Sequence, residues 1–144
     1  MPDAGVAEPG RIVLEVKARA LAPGDAVRGR VTLRLGAPLV AARLVVSLEG
    51  RRRSVSGGGP RPLTYRQDLV WRAERMLDGE RTFVDGQTWP FELLLPEPDP
   101  GGGPPFGQSP FPLSFGVVAR LERPWTFSLR AEAPLRVAPR GRKP

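Results

Sequence analysis

Between Gly24 and Leu35 the chain reads GDAVRGRVTLRL, and from Val27 on every odd position is aliphatic or glycine while Arg28, Arg30 and Arg34 fall on even ones. Successive side chains of an extended strand point to opposite faces, so this two-residue period demands one buried face and one solvated face. The period recurs where Ile12, Leu14 and Val16 alternate with Val13, Glu15 and Lys17, and where Phe115, Val117, Ala119 and Leu121 line one side of LSFGVVARLE. The 18 prolines and 17 glycines punctuate these runs. Such spacing suits short strands joined by turns and leaves no room for long helices. The chain therefore reads as all-β, seven to nine antiparallel strands in a two-sheet β-sandwich.

LAPGD, from Leu21 to Asp25, has the chemistry of a tight turn in which Gly24 can take a positive φ, so the strands on either side of it are expected to pair. Gly29, inside a strand, implies a bulge or a close backbone approach. A third strand is expected from Leu39 to Glu49, ending at Gly50 and leading into RRRSVSGGGPRP as a flexible loop. Thr64 to Leu77 is ambiguous. Leu69, Ala73, Met76 and Leu77 fit a helical spacing, whereas Tyr65, Leu69, Val70 and Trp71 fit a long edge strand. Pro90 lacks an N–H, which sets the start of the next strand near Phe91. Trp89, Phe91 and Trp125 are large enough to fill the space between sheets. Residues 96–112 carry seven prolines and four glycines and read as a long irregular crossover, or as an extended segment offered to a partner. Two short strands, Trp125 to Ala131 and Leu135 to Ala138, are expected last. The organisation is a flexible start over residues 1–10, one domain over 11–138 and a basic tail over 139–144.

The 22 basic residues comprise 20 arginines and two lysines, with histidine, cysteine and asparagine absent. Arginine preference with few thermolabile side chains suits a hot or GC-rich source, although codon bias alone gives the same picture. Residues 1–72 hold 13 basic and 6 acidic groups, against 9 of each in residues 73–144, so any electropositive surface is expected mainly in the first half. Without histidine or cysteine the usual catalytic triads, thiolate nucleophiles and zinc sites are ruled out, and no cofactor is called for. Glu74, Asp78 and Glu80, flanked by Arg75 and Arg81, read as a salt-bridged turn rather than a catalytic set. The start, MPDAGVAEPG, has no basic lead and no apolar run, and no segment reaches the ~18 apolar residues of a membrane span, so a cytoplasmic protein is expected.

The candidate binding residues are cationic. Lys17, Arg19, Arg28, Arg30 and Arg34 are expected on the outer face of the first two paired strands, and Arg51, Arg52 and Arg53 on the glycine loop with Arg61. Ordinary solvation of a half-buried strand explains such charges. Like charges crowded on neighbouring strands are best tolerated where an acidic partner completes them, and arginine grips carboxylate or phosphate bidentately. Nucleic acid or an anionic membrane is the rival partner, set behind protein because the basic segments are not interleaved with stacking aromatics. Open strand edges could also pair with a second copy of the chain.

In order, PGDAVRGRVTLRL, LVAARLVVSLEG, LTYRQDLVW, GQTWPFELLLP, FPLSFGVVARLERP and PLRV resemble the amino-terminal domain of an arrestin, in the style of the arrestin-domain-containing (α-arrestin) proteins. The resemblance spans residues 11–138. It implies an immunoglobulin-like sandwich that binds proteins without catalysis, as an adaptor or scaffold, and a basic concave surface that receives phosphorylated or acidic tails. It also favours a strand over Thr64 to Leu77. In 144 residues no second arrestin domain is expected, so an interdomain polar core is not carried over. Pro104-Pro105-Phe106-Gly107 lacks the tyrosine of a ubiquitin-ligase PPxY motif, so ligase recruitment is not carried over either.

Overall fold

The computed structural model describes residues 10–17, 20–96, 113–124 and 128–137, and every regular element within them is a strand. The strands are β1 (Gly10–Val16), β2 (Ala20–Leu21), β3 (Ala26–Leu35), β4 (Leu39–Ala41), β5 (Arg43–Gly58), β6 (Arg61–Asp78), β7 (Arg81–Phe83), β8 (Thr88–Leu94), β9 (Leu113–Glu122) and β10 (Leu129–Val137). They form a three-stranded sheet β1-β3-β8, a five-stranded sheet β2-β10-β9-β5-β6 and a small β4-β7 pair. All pairings are antiparallel except the short β2-β10 contact. No helix among the described residues is long and apolar enough to cross a membrane.

The alternation of β3 becomes burial. Val27, Gly29, Val31, Leu33 and Leu35 face inward and Arg28, Arg30 and Arg34 outward. Leu44, Val46 and Leu48 of β5 and Val117, Ala119 and Leu121 of β9 meet them from the opposite sheet in one core. Each valine or leucine among them contributes about 1.5 to 3 kcal/mol when fully buried. β1 pairs with β3 as expected, and Gly24 holds the intervening turn at φ 89° with Asp25 Oδ2 accepting a 2.8 Å bond from the Ala22 N–H.

Several expectations are corrected. RRRSVSGGGPRP is no loop: β5 runs through Gly50 to Gly58 and its ladder with β6 continues to Gly58 opposite Arg61. Gly50 does not end the strand but lets the ring of Phe115 close over its backbone, where a Cβ would lie 3.0 Å from that ring. The turn needs only Gly57, Gly58 and Gly59, all at positive φ. The Leu39–Glu49 segment is two strands, β4 on β7 and β5 on β9. Pro90 sits inside β8 rather than before it. The Leu33 N–H bonds Gln87 and the Leu95 N–H bonds Asp25, which makes odd residues of β3 the hydrogen-bonded partners of β8. Pro90, opposite Arg30, thus turns its missing N–H to the sheet's open edge, where it costs no ladder bond.

The last two expected strands are one, β10, with Pro134 within it on the β9 ladder. Trp89 is half-buried, its indole N–H donating to Asp78 Oδ2 at 3.3 Å and its ring 5.7 Å from that of Phe83. Phe83, not Trp89, is the largest fully buried side chain. Trp125 and residues 97–112 lie outside the described residues.

Candidate functional site

The register of the three-stranded sheet arranges its outer face in cross-strand rows. Arg11 lies opposite Arg34, Val13 opposite Thr32 and Thr88, Glu15 opposite Arg30 and Pro90, and the Lys17 N–H bonds Arg28, whose other neighbour is Glu92. The face carries five cations, Arg11, Lys17, Arg28, Arg30 and Arg34, against the two carboxylates of Glu15 and Glu92. Its charge is therefore strongly positive.

The carboxylates engage only part of this set. Arg28 Nε donates to Glu92 Oε1 at 3.1 Å and Arg30 Nε to Glu15 Oε1 at 2.7 Å. The hydrogen bond from Arg30, reinforced by its charge, holds the Glu15 carboxyl below its ordinary value and raises that of the Arg30 guanidinium. Both pairs are exposed and leave the Nη groups free to grip another anion, since each is held through Nε alone. Lys17, Arg11 and Arg34 have no side-chain partner among the described residues.

A shallow groove of about 880 Å³ opens beside this face, between the edges of β8 and β6. Lys17, Arg28, Glu92 and Leu94 line one wall and Glu74 and Arg75 the other. Arg75 Nη1 reaches the Glu92 carbonyl at 3.5 Å. A smaller hollow of about 430 Å³, lined by Glu15, Lys17, Arg30 and Pro90, lies over Gly29. Gly29 is what brings these walls together, because its backbone passes where a Cβ would be 2.1 Å from the Glu15 carbonyl oxygen.

The outer face of the five-stranded sheet is different in kind. Arg43 bonds Glu122 at 2.7 Å and approaches Glu74 at 3.8 Å, Arg120 bonds Glu74, and Arg130 bonds Glu132 at 3.0 Å. Glu49, only 3% exposed, is clamped by Arg51 at 2.6 Å and Arg72 at 3.2 Å and accepts the Ser47 hydroxyl at 3.2 Å. Burial pushes the Glu49 carboxyl up, but the Arg51 bond, the charges of Arg72 and Arg51 and the Ser47 hydroxyl together hold it below its ordinary value. Glu122 is lowered chiefly by its bond from Arg43, against a smaller opposing effect of burial. This lattice consumes its own charge.

The structure thus brings Lys17, Arg28, Arg30 and Arg34 together on one face. Arg19 lies outside the described residues. Arg51, Arg52 and Arg53 belong to the other sheet: Arg51 is committed to Glu49, Arg52 stands opposite Asp68, and Arg53 lies over the Tyr65 ring, 5.1 Å from its centroid. Sequence reasoning missed Arg11, Arg75 and the two carboxylates. Glu15 was readable, since it shares the outward phase of Lys17, whereas Arg75 reaches the groove only through the approach of two distant strand edges. Among the described residues no three acidic side chains gather as a metal site would require.

No family model and no curated relative matches the chain. Among solved structures it is similar to the sporulation control protein Spo0M of Bacillus subtilis, with a TM-score of 0.66 and 17% identity, over 91% of this chain and 50% of that one. The chain therefore spans about half the length of that structure, and the likeness establishes the fold, an arrestin-like β-sandwich.

Proposed function

We propose that the protein is a non-catalytic binding module, an adaptor or scaffold, that receives an acidic or phosphorylated protein segment on the outer face of β1-β3-β8. The observation that carries this reading is the contrast between the two outer faces. One is a self-neutralised lattice of arginines and glutamates, while the other keeps five cations for two carboxylates beside an open groove. Guanidinium groups pinned through Nε are pre-oriented, so less side-chain freedom is lost when their Nη groups meet a carboxylate or phosphate. Leu94 and Pro90 add apolar surface along the same groove, enough to favour a peptide over a bare anion.

Binding of fluorescent phosphoserine-rich and glutamate-rich peptides to the wild type and to Arg28→Glu/Arg30→Glu tests the reading. One-to-one binding that the double reversal removes, with the circular dichroism spectrum unchanged, is the expected result. Equal binding by both proteins overturns it. A nucleic acid or other polyanion would instead bind without sequence preference and weaken by orders of magnitude as salt rises.

A further inference from the structure

Beyond Arg52, whose partner on β9 is Leu113, the β5 strand pairs only with β6 among the described residues. Among the described residues the two thus run on as a two-stranded ribbon from Arg53 to Gly58 and back, about 20 Å long at 3.3 Å per residue. A two-stranded ribbon has no core of its own. Its alternation nevertheless sorts the side chains. Val55 lies opposite Tyr65 and Arg53 opposite Gln67, so Val55, Leu63, Tyr65 and Leu69 share one face with Arg51 and Arg53. The other face holds Arg52, Ser54, Ser56, Thr64, Arg66 and Asp68.

The apolar face is open to solvent: Val55 is 42% exposed, Leu63 58% and Tyr65 56%. It continues the phase of the outer face of the five-stranded sheet, on which Val45, Ser47, Glu49 and Val118 are buried, whereas the ribbon's own side chains are exposed. Its charge tells what fits it. Within the ribbon this face has no carboxylate: Glu49 is spent on Arg51 and Asp68 on Arg66, which leaves Arg53 and Arg61 beside the apolar side chains. A second copy laid face to face would oppose arginine with arginine. Among the described residues the ribbon also has no walls to enclose a peptide side chain. An anionic bilayer surface satisfies both halves of the pattern. It takes valine, leucine and tyrosine into the headgroup boundary while the arginine stems lie alongside and their guanidinium heads meet lipid phosphates.

We infer that the β5–β6 ribbon is a second interaction surface, one that docks on anionic membrane through Val55, Leu63 and Tyr65 with Arg53 and Arg61 beside them on the same face. It is independent of the basic face of β1-β3-β8. The domain would then hold a protein segment on one face while its ribbon rests on lipid.

Cosedimentation of the full chain with phosphatidylcholine vesicles, with and without phosphatidylserine, provides the test. The wild type is expected to bind only the phosphatidylserine vesicles. Leu63→Ser/Tyr65→Ser should lower the partition coefficient at least about tenfold, and Arg53→Gln/Arg61→Gln should lower it in a salt-dependent way. These positions are exposed, so all variants should keep the wild-type melting profile. Arg28→Glu/Arg30→Glu, on the other sheet, should bind far better than Leu63→Ser/Tyr65→Ser. A wild type that ignores both vesicles overturns the inference. So does binding that survives Leu63→Ser/Tyr65→Ser but not Arg28→Glu/Arg30→Glu, or self-association without vesicle binding that those serines abolish.

Discussion

Gly29 runs directly against Glu15: a Cβ at Gly29 would lie 2.1 Å from the Glu15 carbonyl oxygen and 2.8 Å from the ring of Phe91. Neither obstacle is a flexible tip, since one is backbone and the other a buried ring. Gly29→Ala must therefore spread β1 from β3, at a cost of about 3 kcal/mol. A urea midpoint lowered accordingly is the expected readout. The hollow lined by Lys17 and Arg30 should deform with it, so peptide binding should weaken in the folded fraction as well.

Phe83 anchors the small β4-β7 pair onto the core and is fully buried, with the guanidinium of Arg81 5.6 Å from its ring centroid. Phe83→Ala should cost about 3 to 5 kcal/mol, since the cavity would be walled by two sheets that cannot both collapse into it. Thermal unfolding followed by circular dichroism checks this.

The Glu49 clamp gives stability a pH dependence of definite sign. Glu49 and Glu122 hold protons less tightly folded than unfolded, because their arginine partners favour the carboxylate. Their contribution is thus complete above the ordinary carboxylate value of 4.5 and is lost as pH falls below it through the lowered folded values. A melting temperature that is flat at neutral pH and declines below that value is expected. Glu49→Gln should shallow the decline and cost about 2 kcal/mol at neutral pH, since Arg51 and Arg72 lose their anion.

Much of the fold was legible because one-sided burial writes itself into sequence with period two. β1, β3 and β9 were placed this way, and the β1-β3 pairing followed from the Pro-Gly-Asp turn. The same logic failed on the β5–β6 ribbon, where neither face meets a core among the described residues, so arginine, serine and glycine carry no burial signal and read as a loop. Pro90 and Pro134 misled for another reason. A proline forbids a central ladder position but not an edge such as β8, nor a stretch such as Pro134 of β10 that its short neighbour β2, paired among the described residues only at Arg136 and Val137, does not reach. The candidate site was half legible. That Lys17, Arg28, Arg30 and Arg34 share a face follows from phase alone, but their relation to Arg75 and to the neutralised opposite face depends on how the sheets stack.

Salt dependence should distinguish the two surfaces. Peptide bound on β1-β3-β8 is gripped by a few fixed guanidinium groups, and its affinity should fall with salt by a small power, set by the two or three phosphates it presents. Arg34→Gln, whose side chain has no partner among the described residues, should reduce that slope by about one charge. Isothermal titration at several salt concentrations measures both.

The most direct test of where the partner binds is an amide chemical-shift map of the labelled protein titrated with a phosphoserine peptide. The account predicts that the largest shifts fall on Lys17, Arg28, Arg30 and Arg34 and along β8 at Glu92 and Leu94, with the Arg43, Glu74, Arg120 and Glu122 lattice quiet. Shifts concentrated on that lattice instead, or no saturable shifts at all, would contradict it.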